Sequence, residues 1–322
     1  NQGQPSTIAT RFYRTTGNDL ATDHLAQKLA GWGYAVELDT FSVWGTTCRN
    51  VVATATGSVT PQEVVVVGGH FDSTSPQADS LAPGAEDNAS GTSLVMELAR
   101  AAAGREFERT VQFVLFDAEE VGLLGSQHFV DQAVAEGRQI IAAITADMVA
   151  YYNDDYGVLI EGDEPWDWLM STMTQNAESH TDLAVRTSYD SWGSDHVPFQ
   201  QAGIAAFLAI DWDWNEYPYY HSVDDTWEQI QTTSAQGLQI ARAAAGTLAD
   251  VAGLLGGTTP APGQAPAAAA MTLTAHPNPF NPQVVVSFTV PRPVSGAVRV
   301  HDLAGREVAT LAQGVFLAGE HQ

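Results

Sequence analysis

The 322 residues carry a formal charge of −25 at pH 7, with 38 Asp and Glu against 13 Lys and Arg, and 44% of them are apolar. Such a balance argues against nucleic acid or an anionic membrane surface as a partner and favours metals or cationic ligands. The length suits one large α/β domain with a small appendage, and no apolar run reaches the roughly 18 residues of a membrane span.

Residues 257–322 hold three acids and three arginines, so the whole negative charge falls in residues 1–256. Cys48 is the single cysteine, which excludes an internal disulfide and a thiolate-based metal site. The chain opens at Asn1 with no apolar leader, as expected of a mature or trimmed chain, and this says nothing about location.

In chain order, Leu20, Leu25, Leu29 and Trp32 recur at helical spacing over 18–32, and Gly33 ends that helix. Strands follow over 34–41 and 50–54. Val64–Val67, four β-branched residues in a row, reads as a strand buried on both faces; Gly68 and Gly69 are expected to break it before His70 and Asp72. A Pro/Gly/Ser-rich loop and the segment Gly84-Ala85-Glu86-Asp87-Asn88-Ala89-Ser90-Gly91 lead into a helix over 91–103. A second buried strand over 110–116 delivers Asp117, Glu119 and Glu120, and a helix over 123–136 precedes a third strand over 140–145 that ends at Asp147. Strand 157–161, helix 165–179, strands 183–187 and 204–210 and one long helix from about 226 to 255 complete the pattern. This alternation predicts a three-layer α/β/α sandwich with a mixed central sheet over residues 1–255. Residues 256–270 have the Pro/Ala/Gly composition of a linker. Residues 271–322 read as a small, partial C-terminal β-sandwich module with strands over 284–290, 297–302 and 307–311.

Three strands thus end in His or acids at one sheet edge: His70 and Asp72, then Asp117, Glu119 and Glu120, then Asp147. Asp87 opens a helix and His221 lies in a late aromatic loop. In open α/β sheets ligands bind beyond the carboxyl ends of the strands. Two imidazoles with several carboxylates and no thiolate suit two hydrolytic zinc ions, held roughly 3.5–4 Å apart by a bridging carboxylate.

The motifs GGHFDS, PGAEDNASG, DAEEVGLLGS, the Asp-Met after the third strand, GSDHVPF and YYHSVDDT occur in the order and spacing of the dizinc aminopeptidases. Over about residues 5–255 the chain resembles that family, of the secreted bacterial leucyl aminopeptidase type, with its zinc exopeptidase fold. The resemblance implies His70 and Asp147 as ligands of one zinc, Glu120 and His221 as ligands of the other, and Asp87 as the bridge. It implies Glu119 as general base toward a metal-bridged water, Asp72 as the acid that orients His70, Tyr220 as an oxyanion partner and Met148 as a pocket wall. The implied activity is hydrolysis of the N-terminal peptide bond of peptides, with apolar first residues preferred. A carboxypeptidase or dipeptidase on the same scaffold, and then a single-zinc glutaminyl cyclase, are the alternatives. Carboxylate capture would need a positioned arginine, and Arg186 is the basic residue of the late loops.

Taken alone, His70 is more often a buried structural histidine and Glu119–Glu120 a solvated helix start; their company reverses both readings. His196 reads as structural, because the ligand count is already full. Asp211, Asp213 and Glu216 offer oxygens for a structural calcium, with a solvated acidic loop the preferred alternative. Trp192, Trp212 and Trp214 either line the pocket or pack in the core, and Cys48 reads as inert. Residues 276–322 resemble the C-terminal sorting module of the type IX secretion system, on Pro277–Pro282 and the stretch VHDLAGREVATL. This implies export machinery as a partner and a secreted or extracellular location, or the cell surface before the tail is cleaved. A generic β-sandwich spacer or carbohydrate-binding module is the alternative.

Overall fold

The computed structural model describes residues 8–191, 193–255, 272–276, 285–290, 294–301, 307–316 and 319–321. It divides into two compact units, Asn1–Gly256 and Gly257–Gln322.

The first unit is built on an eight-stranded sheet. Its elements are α1 (Thr16–Gly31), β1 (Ala35–Val43), β2 (Thr46–Ala55), β3 (Thr60–His70), α2 (Gly91–Ala102), β4 (Glu106–Phe107), β5 (Arg109–Phe116), α3 (Leu124–Glu136), β6 (Gln139–Ala146), β7 (Gly157–Gly162), α4 (Asp167–His180), β8 (Ala184–Ser188), α5 (His196–Gln201), β9 (Ala206–Asp211), α6 (Trp227–Ile230), α7 (Ala235–Ala252) and β10 (Leu254–Leu255). Sheet order is β1-β2-β5-β3-β6-β9-β7-β8. The central strands β5, β3, β6 and β9 run parallel, while β2, β7 and β8 run against them and make the sheet mixed.

Side chains along β3 alternate between the two faces of the sheet, and both faces are buried from Val64 to His70. Val65 and Val67 join the core beneath α1, α2, α4 and α7, whereas Val64 and Val66 join Phe129 of α3 and Phe199 of α5 on the opposite face. Phe116, Phe129 and Phe199 pack there with ring centroids 5.9–6.2 Å apart. Each such buried ring contributes about 2 kcal/mol. The architecture is the predicted α/β/α sandwich.

Three local expectations change. Gly68 and Gly69 do not break the strand, because β3 runs on to His70. A Cβ at Gly68 would meet the Phe116 ring at 2.6 Å, and one at Gly69 would meet Ala146 O at 2.7 Å. These glycines therefore serve packing across the sheet rather than a turn. The single helix expected over 226–255 is two, α6 and α7. Thr233 and Ser234 donate their hydroxyls to Ile230 O and Gln231 O, the side-chain-to-backbone competition that favours a turn. The short helix α5 lacks a sequence signal because Pro198 lies within it, but Pro198 falls in the first turn, where its missing N–H costs nothing.

In the second unit, β11 (Thr272–His276), β12 (Val285–Val290) and β15 (Gly319–His321) form one antiparallel sheet. A separate hairpin joins β13 (Val294–His301) to β14 (Glu307–Phe316). The Pro277–Pro282 segment of the sorting-module resemblance lies outside the described residues, as do linker residues 256–270.

Candidate active site

Parallel register brings the chemistry together. His70 pairs with Phe116 and Gly68 with Thr145, so β3, β5 and β6 end level, and the residues that follow them emerge at one edge. Gly84–Gly91, just before α2, supplies Asp87 to the same place, and the loop after β9 supplies His221.

Nε2 of His70 lies 3.4 Å from Asp87 Oδ1, 3.4 Å from Asp147 Oδ1 and 3.9 Å from Glu119 Oε2. Nε2 of His221 lies 3.1 Å from Asp87 Oδ2 and 3.0 Å from Glu120 Oε2. The two oxygens of Asp87 thus face two different imidazoles. His70, Asp87 and Asp147 form one set of potential ligand atoms within 4.8 Å of one another, and Asp87, Glu120 and His221 form a second.

Both ring nitrogens of His70, Oε1 of Glu120 and Oδ1 of Asp147 are buried without a hydrogen-bond partner. Unpaired buried polar atoms are costly, and the residues that bear them, His70, Asp147 and Glu120, all belong to these two sets. Nitrogen and oxygen donors grouped in this way fit zinc, which takes tetrahedral sets of His and carboxylate.

Burial pushes Glu119 well above the ordinary carboxyl range, helped by Asp195, Asp147 and Glu120 and opposed by His70. Burial likewise pushes Glu120 up to about 8. Burial works to lower His221, but the hydrogen bonds its ring donates to Asp87 and Glu120 outweigh it and raise the imidazole to about 10. His70 is also raised, with Glu119 and Asp147 overcoming its burial. Asp147 is lowered despite its burial, because His70 and the Ser194 hydroxyl favour its charged form. Ser194 Oγ donates to Asp147 Oδ2 at 2.9 Å.

Backbone and side chains fix these groups. Asp72 Oδ1 accepts from Glu119 N at 3.1 Å and Oδ2 accepts from Glu120 N at 3.3 Å. Its Oδ1 is also 3.3 Å from His70 Nδ1, an electrostatic contact rather than a well-formed hydrogen bond. Besides facing His70, the residue it is expected to orient, Asp72 thus grips the backbone of the two glutamates. Asp225 accepts from Glu86 N at 2.9 Å and Asp87 N at 3.0 Å, and Tyr217 donates to it at 2.6 Å. Asn88 Oδ1 accepts from Gly91 N and Met148 N, while its Nδ2 donates to Ala146 O. Ala118, Met148 and His221 adopt positive φ of 59°, 46° and 51°, a strained region for non-glycine residues that concentrates at functional sites.

Sequence reading left Asp225, Asn88 and Glu161 without roles, although the first two stand inside quoted motifs. Tyr220 is half-exposed and stacks on the His221 ring at 3.9 Å. A cavity of about 70 Å³ beside the two sets is lined by Met148, Leu208, Ile210 and Trp214 together with Asp147 and Glu161. Among its described lining residues there is no Lys or Arg. Arg186 is engaged elsewhere, 2.7 Å from Asp155 and stacked 3.5 Å over Trp212. Trp192 lies outside the described residues. His196 is buried, with Nε2 2.6 Å from Ser191 Oγ. Cys48 is buried and its thiol is pushed up to about 12, first by that burial, which suits an inert residue.

The loop of Asp211, Asp213 and Glu216 is not a solvated acidic loop: Asp211 and Asp213 are buried. Asp213 Oδ2 accepts from the backbone N–H of Asn153, Asp154 and Asp155, whereas both oxygens of Asp211 are buried without a hydrogen-bond partner.

The chain is similar in sequence and fold to known proteins. Aminopeptidase YwaD of Bacillus subtilis is 33% identical over 188 residues, 54% of this chain and 38% of its own. The solved structure of BSAP, a zinc aminopeptidase from Bacillus subtilis, superposes with a TM-score of 0.56 at 27% identity, covering 64% of this chain and 50% of that one. The glutaminyl cyclase of Porphyromonas gingivalis shares the fold at a TM-score of 0.61 and 21% identity, over 76% of this chain and 93% of that one. The chain spans 38–49% of the length of the first curated relatives it matches. The description of peptidase family M28 matches residues 50–245, more than half of the 322, and the chain belongs to that family.

Proposed function

We propose that this chain is a zinc-dependent aminopeptidase that hydrolyses the first peptide bond of peptides and prefers apolar first residues. The observation that carries this reading is Asp87, whose two carboxylate oxygens face separate His/carboxylate sets. His70 and Asp147 would hold one zinc ion, Glu120 and His221 the other, with Asp87 shared between them. Zinc bound there would supply Lewis acidity toward a peptide carbonyl and toward water.

The chain's own groups do the rest. Glu119 belongs to neither ligand set, and its buried carboxyl, with affinity for a proton well above that of a free glutamate, can take a proton at Oε2 and return it to the leaving amine. Tyr220, stacked on His221, stands at the cavity to donate to a developing oxyanion. Glu161, an acid of the lining outside both ligand sets, suits a free ammonium, and no Lys or Arg among the described lining residues is there to hold a terminal carboxylate. Met148, Leu208, Ile210 and Trp214 offer the first side chain an apolar wall. The glutaminyl cyclase likeness shows the fold alone, and the second ligand set favours hydrolysis over a single-zinc cyclase. A location outside the cell rests on the resemblance of residues 276–322 to an export module.

A panel of peptides free or blocked at either end tests the reading. Free N-termini should be required, C-terminal amides tolerated, and chelation should abolish turnover. Glu119→Gln should keep its metal while turnover falls at least a hundredfold. Cleavage of N-blocked peptides from their C-termini would replace the aminopeptidase with a carboxypeptidase.

A further inference from the structure

The stretch from Phe71 to Gly84 separates His70 from the turn that carries Asp87. It contains no helix or strand, only an isolated bridge between Thr10 and Ala82. What holds it is the segment before α1, and chiefly one side chain. Arg11 Nε donates to Phe71 O at 2.6 Å, Nη1 to Pro83 O at 2.6 Å and Nη2 to Gly84 O at 2.9 Å. Phe71 directly follows His70, and Gly84 lies three residues before Asp87. Arg11 N donates to Ser73 Oγ at 3.2 Å, and that hydroxyl donates to Ala82 O at 2.8 Å. Asn18 Nδ2 then links Arg11 O, at 2.9 Å, to Asp117 Oδ1, at 2.7 Å, two residues before Glu119.

We propose that Arg11 is a positioning residue of the metal centre. Its guanidinium joins the backbone after His70 to the backbone before Asp87 and sets a fixed positive charge beside the acids. This rests on the metal-binding reading above.

Two physical arguments support it. The planar fork presents several donors in fixed directions, so one side chain can tie three carbonyls; a lysine ammonium is a point charge on a flexible stem. Charge matters as well. Burial lowers the Arg11 pKa, while Asp72, Asp225, Asp87 and Glu120 act to raise it, so the attraction between them is reciprocal. Gly84, at a φ of 56°, leaves the space the guanidinium uses, since a Cβ there would meet Arg11 Nη2 at 2.9 Å.

The test titrates cobalt into the demetallated full chain of wild type, Arg11→Lys, Arg11→Gln and, as control, Arg14→Gln, whose arginine pairs with exposed Asp79. Affinity and the visible cobalt spectrum are read together. Removing partners that orient ligands weakens metal binding by about 10–100-fold. Arg11→Gln should fall in that range with an altered spectrum, Arg11→Lys should recover part of the loss, and Arg14→Gln should match wild type. If Arg11→Gln does not fold, Arg11→Lys carries the comparison. Unchanged affinity and spectrum in the Arg11 variants would overturn the positioning role while leaving the metal site standing. A wild-type chain that binds no cobalt would remove the metal reading and this inference with it.

Discussion

His196 shows how a residue near the site can matter through its proton alone. Burial drives its pKa down to about 3 from an ordinary 6.5, so the folded state keeps it neutral. Below pH 6.5 the unfolded chain takes up a proton that the folded one refuses, so stability is lost as pH falls from 6.5 toward 3. The slope is at most about 1.4 kcal/mol per pH unit. Glu86 acts in the opposite sense. Burial raises it from 4.5 to about 8, so its contribution is present below pH 4.5 and lost as pH rises through 8. Urea unfolding of His196→Gln between pH 7 and 4 should therefore lose less stability than wild type does. Parallel losses would mean that His196 is not held neutral. At this scale the sequence was most readable where a residue type has few uses: His70, Asp87, Glu120, Asp147 and His221 stand together as their motifs imply. Asp225 and Arg11 were unreadable because their work is hydrogen bonding to backbone far along the chain, which no local pattern records.

At the scale of elements, the site depends on how closely α3 approaches the end of β5. A Cβ on Gly125 would collide with Asp117 O and Asn50 Oδ1. Asn50 Oδ1 accepts from Asp117 N at 3.0 Å and its Nδ2 donates to Gly125 O at 2.9 Å, so the clash falls on the hinge that aims Glu119 and Glu120. Gly125→Ala should lower stability by about 1–3 kcal/mol, measured as a fall in urea midpoint. Gly31→Ala, at the end of α1 with nothing within 4 Å of the new methyl, should be neutral or slightly stabilising. Equal midpoints for the two variants would refute the close-approach argument. The buried strands were legible because β-branched runs have few alternatives to a sheet covered on both faces. The break between α6 and α7 was not, since Thr and Ser suit a helix or a turn and only their bonds to Ile230 and Gln231 decide.

For the whole molecule, the first unit closes on itself through β10. Leu254 pairs with Phe107 and Leu255 with Glu106, and Gly253 O accepts from Glu108 N at 2.7 Å. A chain ending after Gly256 should keep the thermal midpoint and metal content of the full chain, whereas one ending after Ala252 should melt lower. An unchanged midpoint for the shorter form would deny β10 its closing role. The loop after β9 has a different significance. It bears His221, and through Asp225 it also grips the backbone of Glu86 and Asp87. One protease cut between Tyr217 and Asp225 would therefore strike both sets at once, and inactivation by nicking would be all-or-none, with no stage at which half the centre survives.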